Sequence, residues 1–90
     1  MRKILVVDDE PVMLVLTQRI LSEQYEVITA KSGKEAIELF EREKPDLILS
    51  DLLMPEMDGY ELQKALQKKF SETVPVIFMT ADEREDSESK

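Results

Sequence analysis

The sequence contains no cysteine and no histidine. Disulfides, thiolate or imidazole metal sites, and Cys or His nucleophiles are excluded with them. Long apolar runs are also missing. The N-terminal stretch Ile4-Leu5-Val6-Val7 stops after four residues at Asp8 and Asp9, too short for a membrane span or the core of a signal peptide. The expectation is a soluble, cytoplasmic protein with no membrane partner. Basic residues are in deficit, twelve against twenty acidic, for a formal charge of -8. Such a surface repels a phosphate backbone, so direct nucleic-acid binding by this domain is not expected. Glycine and proline are scarce, two and four, and with 42% hydrophobic residues this argues against disorder.

Ninety residues allow one small domain. Ile4 to Val7 is a continuous β-branched and apolar run, as expected of a strand buried on both faces. Pro11 suits a helix's first turn, and Val12 to Leu21 reads as that helix, with Met13, Leu16 and Ile20 on one face. A second strand is predicted over Tyr25 to Thr29. Ser32 and Glu35 have capping-box spacing, followed by a helix that buries Ala36, Ile37 and Phe40 and ends before Pro45. Leu47 to Leu49 reads as a third strand, closed by Ser50 and Asp51. Asp58 can cap a third helix bearing Leu62, Ala65, Leu66 and Phe70. Val76 to Met79 reads as a fourth strand, ended by Thr80, and no apolar residue appears from Asp82 to Lys90.

Strands alternating with helices imply an α/β fold, a doubly wound parallel sheet with right-handed crossovers. In such sheets ligands bind beyond the carboxyl ends of the strands, where strand order reverses. With a flavodoxin-like order the first and third strands are neighbours, and Asp8, Asp9 and Asp51 converge there. Three carboxylates in one cleft repel each other unless protons or a cation join them. Their oxygens favour magnesium or manganese over zinc or copper, and a divalent cation beside a carboxylate points to phosphoryl chemistry. Taken singly, each residue has a plainer reading. A lone Asp after a strand is a turn or cap residue, Thr80 a strand end, Met54-Pro55 and Asp58-Gly59 loop chemistry. The coincidence of acids and a hydroxyl at one sheet edge lifts the set above those readings.

The ordered set resembles the response-regulator receiver domain of two-component signalling. It comprises Asp8-Asp9, Asp51, Met54-Pro55, Asp58-Gly59 and Thr80-Ala81, within a match from Lys3 to Ala81. The resemblance implies that Asp51 takes a phosphoryl group from a sensor histidine kinase or a phosphotransfer protein. It implies Mg2+ (or Mn2+) bound directly by Asp9 and Asp51, helped by the backbone carbonyl of Leu53, with Asp8 acting mainly through water. Thr80 becomes the switch hydroxyl, and an output domain or downstream protein reads the change. The chain is then a signalling phosphoacceptor, with at most self-phosphorylation and self-dephosphorylation as its enzymology.

The strand order expected is 2-1-3-4, with a receiver core over 1–81 and an acidic loop or helix start over 82–90. The family's fourth helix, fifth strand and fifth helix have no counterpart here, nor do its lysine and switch aromatic, and Lys90 is not given the lysine's role. An open edge at Val76 to Met79 is therefore expected, with self-association through it or continuation in a longer polypeptide. Two other functions compete. A non-phosphorylated pseudo-receiver module would keep the fold for binding alone. A magnesium-dependent aspartyl phosphatase is faintly suggested by Asp8 and Glu10, two apart, but leaves the Asp51 loop unexplained.

Overall fold

A computed structural model describes residues 2–52, 54, 56–69 and 74–79. Seven elements alternate along the chain: β1 (Lys3–Val7), α1 (Pro11–Leu21), β2 (Glu26–Ala30), α2 (Gly33–Glu43), β3 (Leu47–Ser50), α3 (Gly59–Lys69) and β4 (Val76–Phe78). The strands form one sheet in the order β2-β1-β3-β4, every neighbouring pair parallel. This is the flavodoxin-like order expected from the sequence.

Side chains alternate across the strands, and both faces of β1 are covered. Leu5, Val7 and Ile48 pack with Ala36 and Phe40 of α2 and Leu62 and Leu66 of α3. Ile4 and Val6 pack on the other face with Leu14 of α1. Cover on both sides explains why β1 is apolar at consecutive positions instead of every second one. Beside α1, a groove of about 370 Å³ runs over Ile4, Leu47 and Leu49.

The helices of the closed face start firmly. Ser32 Oγ accepts the Glu35 N–H at 3.1 Å, and Glu35 Oε1 accepts the Lys31 N–H at 2.7 Å. A fully reciprocal cap opens α3, where Asp58 Oδ1 accepts from Glu61 N and Glu61 Oε1 accepts from Asp58 N. Helix α2 closes at Lys44, whose left-handed φ of 51° stops the helix just before Pro45.

Helix α1 corrects one expectation. Met13, Leu16 and Ile20 do not face the sheet; they are 43%, 47% and 74% exposed. Leu14 is the buried contact, with Leu21 half-buried beside it. Val12 and Val15 are exposed as well, so the helix is apolar around most of its circumference and periodicity alone selects no face. Its phase is set at the start, where the Glu10 N–H donates to Asp8 Oδ1 at 2.9 Å and Pro11 opens the first turn. Ile20→Ser should therefore change unfolding free energy by no more than about 0.5 kcal/mol. Urea denaturation checks this, and a loss above roughly 2 kcal/mol would return Ile20 to the core.

Candidate functional site

The strand register lines up the carboxyl ends that carry the acids. Val7 lies opposite both Ala30 and Ser50, and Ser50 lies opposite Phe78. One further hydrogen bond continues the ladder beyond each of three strands. The Asp8 N–H donates to Ala30 O (3.1 Å), Asp51 N–H to Val7 O (2.8 Å) and Met79 N–H to Ser50 O (2.9 Å). The backbones of Asp8 and Asp51 are thus fixed by neighbouring strands before any ligand is considered.

On that frame Asp8, Asp9 and Asp51 come together, each offering an oxygen within 4.8 Å of the others. Their settings differ. Asp8 is buried at 4% exposure, Asp51 is half-buried and Asp9 is exposed. Burial pushes the Asp8 carboxyl above its ordinary range. The Glu10 N–H pulls the other way, and the charges of Asp51 and Asp9 add to the rise. The plain reading of Asp8 as a turn residue holds for Oδ1, which accepts the Glu10 N–H. It gives no reason to bury a carboxyl beside two others. An all-oxygen donor set of this size suits Mg2+ or Mn2+.

Behind Asp51 the packing is close. A Cβ built on Gly59 would lie 2.9 Å from the Asp51 backbone oxygen and 2.8 Å from the Phe78 ring. The Gly59 N–H donates to Leu52 O, and Phe78 in turn packs against Tyr60 in a tilted pair, 4.9 Å between ring centres. Only glycine fits there, because any side chain would press on the acid's own backbone. Leu53 and Thr80, expected as the carbonyl ligand and the switch hydroxyl, lie outside the described residues, as do Pro55, Phe70 and the 82–90 segment. Among the described residues no helix is long and apolar enough to cross a membrane.

A family model for the response regulator receiver domain matches residues 4–90. The transcriptional regulatory protein GlrR of Escherichia coli is 48% identical over 79 residues, 87% of this chain and 18% of that protein. The alkaline phosphatase synthesis transcriptional regulatory protein PhoP of Bacillus subtilis is 44% identical over 85 residues, 93% of this chain and 35% of its own length. The chain thus spans a minor part of either relative. A response regulator receiver domain protein from Clostridium thermocellum superposes with a TM-score of 0.83 at 29% identity, over 97% of this chain and 71% of that one. The response regulator protein TrrA of Thermotoga maritima, solved in complex with Mg2+ and BeF, gives 0.83 at 38% identity, over 97% and 76%.

Proposed function

This chain belongs to the response regulator receiver domain family, and on that premise we propose that Asp51 accepts a phosphoryl group in a Mg2+-dependent step. The convergence of Asp8, Asp9 and Asp51 within 4.8 Å carries the reading. Burial favours Asp51 over Asp8 as the acceptor, and against exposed Asp9 it is the backbone hold on Asp51 that favours it. A nucleophile must be reached by its donor, and Asp8 is closed off at 4% exposure. Asp51 is half-open, with its backbone held by Val7 O in front and Gly59 behind.

In the step proposed, an Asp51 carboxylate oxygen attacks phosphorus as the N–P bond of a donor phosphohistidine breaks. The imidazole nitrogen keeps the electron pair and is protonated. Asp9 and Asp51 would hold Mg2+ directly, with the Leu53 carbonyl, and Asp8 would act mainly through water. Bound there, the ion offsets the acids' repulsion and the charge spread over the transferred group. Thr80 follows Met79 in sequence and is proposed as the hydroxyl that reads the new phosphoryl oxygens. The donor is a histidine kinase or phosphotransfer protein, and an output domain or downstream protein is the reader, both in the cytoplasm.

The test is exposure to a small phosphodonor or a phosphorylated kinase, with and without Mg2+, followed by intact-mass measurement. The expected product carries one phosphoryl group, forms only with Mg2+, and is lost on hydroxylamine treatment, as an acyl phosphate should be. No adduct under any donor would leave a binding module without phosphorylation. Continuous phosphate release without an adduct would indicate an aspartyl phosphatase.

A further inference from the structure

The turn between β2 and α2 contributes no acid, yet its two ends touch Asp8 and the loop that follows Asp51. At its start, Ala30 O accepts the Asp8 N–H. At its end, Gly33 meets the loop that follows Asp51. A Cβ built on Gly33 would lie 2.5 Å from Met57 Sδ, 3.0 Å from its Cγ and 3.1 Å from its Cβ. Met57 therefore lies flat on Gly33 along most of its length.

Both partners are held from behind. The Ser32–Glu35 cap fixes the first turn of α2. Met57 precedes Asp58, which is locked into the cap of α3 by two hydrogen bonds with Glu61. On its other side, Glu56 turns the chain through the left-handed region at φ 71°. Met57 also packs against the main core cluster, so a Cβ at Gly33 would push its side chain off that seat.

We propose that Gly33 is a positioning residue for the phosphoacceptor site: it seats Met57 and so sets where the loop after Asp51 lies relative to Asp8. The proposal rests on the Mg2+ reading above and extends it to a residue of the neighbouring turn. Space, and not backbone freedom, is what the position requires, because no glycine among the described residues has a positive φ. Alanine also favours a helix over glycine. If the position served only as a helix start, Gly33→Ala would be neutral or stabilising for function and fold alike. The seat predicts a functional loss.

The experiment is a Mg2+ titration of the full chain, followed by the backbone amide signals of Asp8, Asp51 and Leu52. Gly33→Ala should bind Mg2+ roughly tenfold more weakly than wild type. Met57→Ala, which removes the seated side chain, should bind with intermediate affinity. The double variant should match Met57→Ala, because the collision is gone. Wild-type affinity in Gly33→Ala would overturn the proposal, as would a double variant weaker than both single ones. Should Gly33→Ala fail to fold, Met57→Ala decides alone, and unchanged affinity in it overturns the seat. A wild-type chain without Mg2+ shifts would remove the metal reading. The seat is then judged by the metal-free Asp51 amide signal, which must move in Gly33→Ala and return in the double variant.

Discussion

Asp51→Asn should abolish phosphoryl labelling, reducing it by roughly a thousandfold or more, while the fold survives. The amide is nearly the same size as the carboxylate, and the backbone ladder from Asp51 N to Val7 O is untouched by the change. What is lost is the anionic oxygen that attacks phosphorus, together with one of three acids within 4.8 Å. Because carboxylate repulsion falls, unfolding should take place at equal or higher urea in the absence of Mg2+. Loss of label with retained stability separates removal of a nucleophile from collapse of the site. Label at full strength in Asp51→Asn would move the acceptor elsewhere, with exposed Asp9 the next candidate. The measurement is intact mass after reaction with a small phosphodonor, with circular dichroism on the same sample.

The features that make this prediction possible were legible because each is local. Continuous apolar runs marked β1 and β3, and an acid directly after each marked the same sheet edge. Strand alternation with helices then made the parallel order an inference from topology rather than from any one residue. Caps were legible too, since Ser32 and Glu35 have capping-box spacing and Asp58 stands directly before α3.

Helix α1 was not legible in the same way. A stripe of apolar residues identifies a buried face only when the opposite face is polar. Here Val12, Val15 and Leu16 accompany Ile20 on the exposed side, so Leu14 could not be singled out. Gly33 and Met57 were illegible for a different reason. Their contact joins residues far apart in sequence, and neither residue type names a function. A glycine at a helix start reads as punctuation, and a methionine between Glu56 and Asp58 reads as loop. Only the close approach of the two in space gives them a role. The unequal burial of Asp8 and Asp9 was equally hidden, because adjacent acids look alike until the sheet covers one of them.

That inequality leads to the second large effect: Asp8→Asn should stabilise the metal-free protein at neutral pH and weaken its response to Mg2+. The Asp8 carboxyl is pushed up by burial and by the charges of Asp51 and Asp9, against the pull of the Glu10 N–H. In the unfolded chain it titrates near the ordinary value of 3.8. Between that value and its raised native one, the folded state binds more protons, so stability falls as pH rises through the window. Above the window the buried charge remains as a constant penalty. Asparagine removes it and keeps an oxygen for the Glu10 N–H. With oxygens up to 4.8 Å apart, each like-charge pair removed relieves roughly 1–3 kcal/mol of repulsion, depending on local screening. Mg2+ should act in the opposite sense. At a hundred times its dissociation constant it stabilises a binding protein by about 2.7 kcal/mol, and the variant, with one acid fewer, gains less. Urea denaturation in EDTA and in saturating Mg2+, from pH 4 to pH 8 in steps of about one unit, therefore yields a crossing pattern. Asp8→Asn is the more stable protein in EDTA at pH 7, its advantage shrinks as the pH falls, and Mg2+ narrows or reverses it. An Asp8→Asn chain less stable than wild type in EDTA at pH 7 would show that the buried carboxylate supports the fold. The acid cluster would then need a different explanation from a site kept charged for a cation.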